Sequence, residues 1–180
     1  MQDIVIDTMG VRLSPFSVGD LPLLADLHAD PSVHRYLSST LGAWSTDKVS
    51  SFLDGILTDQ ELHGFSAFKV TNSAKMFLGW AGFSPLAETS EIAMRSCFSK
   101  DALADDPKLA IRVSQELIEW FFENTYFSHI VMALRTDDRD GRMTAQDLGF
   151  VYRESRRIDD MPCDVFQLLS PSMRSYVLSA

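Results

Sequence analysis

The apolar residues of this 180-residue chain change their spacing near Gly64, and that change restricts the fold to a mixture of helices and antiparallel strands. Upstream, Val49, Phe52, Leu53, Ile56 and Leu57 recur at i, i+3, i+4, i+7 and i+8, the spacing of a half-buried amphipathic helix, with Ser45 or Thr46 placed to cap it. Downstream the period is that of strands: residues 65–70, a turn at 71–74, residues 76–84, a break near Pro85, and residues 89–98. Connections this short join neighbouring strands in antiparallel fashion, so the three form a meander. Asp105-Asp106-Pro107 then starts the longest helix, which Leu109, Val113, Leu117 and Phe121 carry to Asn124.

The flanking segments complete the order. Residues 11–16 alternate as a short strand. Ser17 or Asp20 caps a helix bearing Leu21, Leu23, Leu24 and Leu27, which Asp30-Pro31 stops, and a second short helix spans 31–37. After the long helix come a strand at 129–135, a short helix at 140–148 closed by Gly149, and a final strand pair at 151–157 and 164–169. The predicted order, β-α-α-α-β-β-β-α-β-α-β-β, suits an α/β fold with one mixed, mostly antiparallel sheet and helices on both faces. A doubly wound parallel sheet would need a helix after nearly every strand. No repeat or linker divides the chain, so residues 1–180 are expected to form a single domain with its core at about 11–169.

Charge then limits the partners. With 16 Lys plus Arg against 25 Asp plus Glu the net charge is -9, a field that repels a phosphodiester backbone and argues against nucleic acid as a partner. The same field favours a cationic amine and opposes an anionic ligand unless local cations override it. Cys97 and Cys163 lack metal or redox spacing, which fits a reducing cytoplasmic home. Residues 1–10 carry Asp3 and Asp7 and no signal-peptide pattern, and no run of about 18 apolar residues occurs, so no membrane partner is expected. His28, His34, His63 and His129 are scattered without zinc-site spacing, so no metal is expected either.

Several short segments resemble one known family. Val11-Arg12-Leu13, Asp20-Leu21, Asp30-Pro31-Ser32-Val33 and Arg35-Tyr36-Leu37 are similar to the opening of the ribosomal-protein alanine N-acetyltransferase branch of the GCN5-related N-acetyltransferases (GNAT). Phe77-Leu78-Gly79-Trp80-Ala81-Gly82-Phe83 resembles that family's third strand, with two glycines three positions apart. Ser90-Glu91-Ile92-Ala93 resembles the start of its fourth, and Leu148-Gly149-Phe150 the end of its last helix. The resemblance implies a GNAT fold, acetyl-CoA as co-substrate, and direct attack by a primary amine of a peptide N-terminus or small molecule. A homodimer is a common assembly in that family.

The resemblance also implies a site. An acyl-CoA arm would lie in a wedge between two strands, held by the backbone of Arg95, Ser96 and Cys97. Its diphosphate would sit on the amides that open the long helix, near Lys108, Leu109 and Arg112, because unpaired N–H groups and the helix dipole favour anions there. Glu91 matches a carboxylate that takes a proton from the amine or docks it; its other reading is a strand residue in an ordinary salt bridge. Trp44 and Phe65 stand on segments that border the acceptor cleft.

Two departures accompany the match. Asp106-Pro107-Lys108 replaces the family's glycine-bearing loop, where Pro107 lacks an amide hydrogen and Asp105 and Asp106 either repel a diphosphate or simply cap the helix. Asp138 and Gly141 stand in place of an Asn-x-x-Ser pair, leaving Thr144 and Tyr152 as the nearest hydroxyls. These departures keep a second function open, a catalytically degenerate relative that binds another ligand or a protein in the same cleft without using acetyl-CoA. Cys97, with no histidine tied to it by spacing, reads as a small buried hydrophobe. Arg153, Arg156 and Arg157 read as a solvated cluster or a contact for a phosphate or an acidic partner.

Overall fold

The computed structural model describes residues 3–39 and 42–180. Among these residues eight strands form one sheet: β1 (Ile6–Thr8), β2 (Val11–Pro15), β3 (Ala67–Asn72), β4 (Phe77–Pro85), β5 (Ile92–Phe98), β6 (His129–Arg135), β7 (Val151–Ile158) and β8 (Met161–Leu169). Their order is β1-β2-β3-β4-β5-β6-β8-β7. Every neighbouring pair is antiparallel except β5 and β6, which are parallel. The helices are α1 (Leu21–His28), α2 (Thr46–His63), α3 (Lys100–Asp105), α4 (Leu109–Asn124), α5 (Arg139–Asp147) and α6 (Pro171–Ser179).

The helices form where caps and apolar periods coincide. The Ser45 hydroxyl accepts the Lys48 N–H to open α2, and Gly64, at φ 75°, closes it in the left-handed region. Between those ends Val49, Leu53 and Ile56 are buried. In α4 the buried stripe is Leu109, Val113, Leu117 and Phe121. The sequence expectation differs from the structure at four places. β1 is too short to display a period, the segment predicted helical at 31–37 is a 3-10 turn over Pro31–His34, and the C-terminal α6 buries no residue. The connection expected to be a loop before the long helix is itself helical: Ser99 caps α3 by accepting the Ala102 N–H.

The sheet is packed on both faces. Against α4 lie Phe68, Phe83, Ile130 and Phe166, with Phe121 and Leu117 from the helix itself. Against α1 and α2 lie Ala67, Trp80 and Cys97, with Leu24, Leu27, Leu53 and Ile56 from the helices. A third cluster, Ala93, Val131, Ile158 and Val165, sits beneath the β7–β8 hairpin. Each fully buried Leu or Phe stabilises the fold by about 1.5–3 kcal/mol relative to leaving it in water. One buried ion pair ties the two ends of the N-terminal region: Lys69 on β3 donates to the Asp20 carboxylate at 2.8 Å, and Asp20 also accepts from the Ser17 N–H.

The glycine pair of β4 follows from strand spacing. A Cβ at Gly82 would stand 2.1 Å from the Ser66 carbonyl oxygen, and one at Gly79 would stand 2.1 Å from the Cys97 carbonyl oxygen. Gly79 also holds φ 148°, next to the register shift between β3 and β4. Both neighbours of β4 can close in only because these positions lack side chains.

Candidate active site

β5 and β6 begin side by side and then part. The ladder they share contains the single pairing of Ala93 with Val131 among the described residues. Beyond it, residues 94–98 are bonded to β4 on one side and have no β6 ladder on the other. The backbone N–H and C=O groups of that edge are therefore presented to an open wedge, and such groups seek partners. The sequence-predicted residues Arg95, Ser96 and Cys97 lie on this edge.

A cleft opens on the α2 side of the same strand. Its inner part, about 190 Å³, is lined by residues that include Gly55, Asp59, Trp80, Gly82 and Arg95. An outer part of about 360 Å³ is lined by Trp44, Lys48, Asp159 and again Trp80 and Arg95. Strand alternation explains why Arg95 points here: Cys97, two residues on, packs into the α2-side core, while Met94 and Phe98 pack beneath α4. Gly82 stands directly opposite Arg95 on β4, and both line the inner part of the cleft. Arg95 Nη2 donates to Ser84 Oγ at 2.8 Å, and no carboxylate among the described residues comes within 4.0 Å of the guanidinium. Burial pulls its pKa below the usual arginine value, with the charges of Asp159 and then Asp59 acting against that from farther away.

The aromatic wall of the cleft is held by two buried histidines. Trp80 Nε1 donates to His28 Nε2 at 3.1 Å, His28 and His34 share an Nδ1–Nδ1 hydrogen bond of 2.9 Å, and His34 Nε2 reaches the Gly42 carbonyl at 2.9 Å. Trp44 stacks on His28 with 3.9 Å between ring centroids, and the Lys48 ammonium lies 4.7 Å from the Trp44 ring centre. Burial first, then the neighbouring His34 and Lys48, lowers the His28 pKa to about 3. Trp44 Nε1, though buried, has no acceptor among the described residues.

Other expected residues are placed differently. Phe65 does not border the cleft; it is buried beneath α4 against Phe83, Phe121 and Phe127, because its side chain leaves β3's entry on the opposite face of the sheet. Glu91 does not line the cleft either. Its carboxylate takes two hydrogen bonds from Arg153, at 2.6 and 2.8 Å, and meets His129 Nε2 at 2.5 Å. The Arg153 hydrogen bond first, and His129 after it, hold the Glu91 pKa at about 2 against the opposing effect of burial. Arg153 also donates to Gln167, so the group ties the residue before β5 to β6, β7 and β8. Cys97 is buried, its thiol donating to the Val33 carbonyl, and burial raises its pKa to about 12.

The start of α4 is occupied by the chain's own carboxylate. Asp106 accepts the Lys108 N–H at 3.1 Å and Arg112 Nη1 at 2.6 Å, and its carbonyl accepts the Leu109 N–H. Arg112 lines a cavity together with Met9 and Val11 at the β1–β2 turn and Ser99 after β5. Leu109 contributes its side chain to the core, and Lys108 is exposed at the helix cap. Asp138 caps α5 by accepting the Gly141 N–H at 2.9 Å, and a Cβ at position 141 would stand 2.4 Å from Asp138 Oδ2. Gly141 is thus the partner that this cap requires. Tyr152 is exposed on β7, its hydroxyl bonded to that of Ser155. Among the described residues no three potential metal ligands gather, and no helix is long and apolar enough to cross a membrane.

Residues 11–151 match the Acetyltransferase (GNAT) domain family. The chain belongs to that family. Its fold is similar to that of the acetyltransferase from Agrobacterium tumefaciens, with a TM-score of 0.76, 17% identity, and 91% and 92% of the two chains covered. The ribosomal-protein-S5-alanine acetyltransferase from Vibrio fischeri aligns with a TM-score of 0.72 at 12% identity, covering 93% of this chain and 97% of that one. The spermidine N-acetyltransferase from Vibrio cholerae, determined in complex with CoA and spermine, aligns with a TM-score of 0.71 at 13% identity, covering 92% and 98%. At these identities the likeness is one of fold. No curated protein matches the chain in sequence.

Proposed function

We propose that this protein transfers an acetyl group from acetyl-CoA to a primary amine by direct attack of the amine within a ternary complex. The observation that carries the reading is the unladdered edge of β5 at residues 94–98, which backs directly onto the α2-side cleft. One side of a single strand offers backbone partners suited to the amides of a pantetheine arm; the other offers a walled space for the amine. Acetyl-CoA supplies the activated acyl group, and the chain's part is to hold the two reactants together. The strand edge fits that co-substrate. The helix end fits it less well, because Asp106 already takes the Lys108 amide.

No covalent enzyme intermediate is needed, and Cys97, buried and protonated, is unsuited to form one. A carboxylate held near pKa 2 is a poor proton acceptor, so Glu91 serves in this reading to fix strand geometry, while Asp59 and Asp159 at the cleft supply the field that draws in a cation. The similarity to an S5-alanine enzyme supports the ribosomal-protein branch no more than the similarity to a spermidine enzyme supports a polyamine, so the cleft itself must indicate the acceptor. Two free, buried thiols support a reducing compartment.

Calorimetric and thermal-shift titrations with acetyl-CoA test the reading. At a concentration about 100 times its Kd the ligand should stabilise the fold by about 2.7 kcal/mol, a rise in Tm of roughly 5–10 °C. Absence of both heat and shift at millimolar acetyl-CoA would overturn it and leave the binding-module reading.

A further inference from the structure

We propose that the acceptor is a small amine that also carries a carboxylate, a zwitterion of amino-acid type, and that Arg95 selects it by pairing with that carboxylate. This rests on the acetyl-transfer reading of the cleft. A guanidinium held partly out of water is ordinarily matched by an anion, because desolvating an unpaired charge is costly. Among the described residues Arg95 has only the Ser84 hydroxyl within hydrogen-bonding reach, at 2.8 Å, and no carboxylate within 4.0 Å. Asp59 and Asp159, one in each part of the cleft, act on it as more distant charges and form no ion pair with it. The guanidinium is pre-aimed: Ser84 anchors one nitrogen, and the side chain lines both parts of the cleft.

A second observation points the same way. The buried Trp44 Nε1–H, which has no acceptor among the described residues, belongs to a ring lining the same outer cleft as Arg95. An indole N–H can only donate, so what completes it must bring an acceptor. A carboxylate satisfies a guanidinium fork and offers further lone pairs to such a donor. A polyamine has no acceptor to give and would set a like charge against Arg95, while a long peptide carries its C-terminal carboxylate far from its attacking nitrogen. Asp59 and Asp159 remain available to the ammonium group of the zwitterion.

The test begins with acetyl-CoA binding to the full chain, followed by acetylation assays with the common amino acids, their carboxamides and spermidine. The expected result is at least one free amino acid turned over with kcat/KM about a hundredfold or more above its carboxamide. In Arg95→Gln that preference should collapse to about threefold, through KM, with acetyl-CoA affinity unchanged and Arg95→Lys intermediate. Thermal shift with the same amino acids and carboxamides, without acetyl-CoA, reads carboxylate binding even if Arg95→Gln fails to fold. The proposal is overturned if acetyl-CoA binds yet carboxamides or spermidine react as well as the acids, if no carboxylate-bearing amine reacts, or if the Arg95→Gln protein keeps the preference. Failure to bind acetyl-CoA sinks the acetyl-transfer reading instead; stabilisation by an acid and not its amide then still supports Arg95, and its absence overturns it.

Discussion

An indole nitrogen can donate and never accept, and this fixes the protons of two buried histidines. His28 Nε2 must accept from Trp80, so the neutral ring carries its hydrogen on Nδ1 and gives it to His34 Nδ1, which leaves His34 to donate from Nε2 to the Gly42 carbonyl. A second proton on His28 Nε2 would face the Trp80 N–H, which agrees with a folded pKa of about 3 against 6.5 for a free imidazole. Between those values the unfolded chain binds the proton and the folded one does not, so stability falls as pH drops from about 6.5 toward 3, by up to about 1.4 kcal/mol per unit. Urea unfolding at pH 7, 6 and 5 should show that slope in the wild type, and a His28→Leu protein, weaker throughout, should lose most of it; equal slopes would refute the assignment. None of this was legible in the sequence, where His28 and His34 are merely two of four scattered histidines. Trp44 lines the outer part of the cleft, whereas Phe65 lies on the opposite face of the sheet, because one residue of strand register reverses a side chain's direction.

At the scale of elements, β4 shows what spacing can and cannot reveal. The two glycines were visible as a motif, but the reason for them, the Ser66 and Cys97 carbonyls 2.1 Å from the missing Cβ atoms, required neighbouring strands to be in place. Gly82→Ala should therefore cost about 3 kcal/mol and lower Tm by roughly 6–12 °C, since the obstacle is backbone and cannot rotate away. Gly55→Ala is the matching control: it lies inside α2 with nothing within 4 Å of the added carbon, so it should stabilise by about 0.5–1 kcal/mol. Comparable Tm values for the two variants would show that strand spacing does not set the glycine. The long periodic helices α2 and α4 were plain from their apolar stripes, and the antiparallel meander from its short connections. α3 was not, because six residues contain too few turns to show a period, and its Ser99 cap makes the connection into α4 helical.

On the scale of the whole molecule, the sheet is two ladders, β1 to β5 and β6 to β8, joined by little backbone. Their shared rung is Ala93 with Val131, and what reinforces it is the Glu91 carboxylate, which reaches across the seam to His129 on β6 and Arg153 on β7. A wedge can stay open at one end only if the other end is held shut, so the residue expected from sequence to move a proton is in this geometry the clasp of the seam. Glu91→Gln should then lower stability at pH 7 by about 1–2 kcal/mol, a modest figure because both partners keep some contact with water. Its sign with pH follows from the carboxylate: the contribution is complete above the unfolded pKa of 4.5 and disappears as pH falls toward the folded value of about 2, so the variant and wild type should converge in acid. Hydrogen exchange should quicken in β6 and β8 more than in β3 and β4, since only the former ladder loses its tie. Turnover discriminates the two roles most directly. A clasp predicts that kcat of Glu91→Gln stays within about tenfold of wild type with an unaltered pH profile, whereas removal of a proton acceptor costs about a hundredfold or more and shifts the alkaline limb. A loss of the second kind, with Tm and exchange unchanged, would return Glu91 to the chemistry and leave the seam to the Ala93–Val131 rung alone.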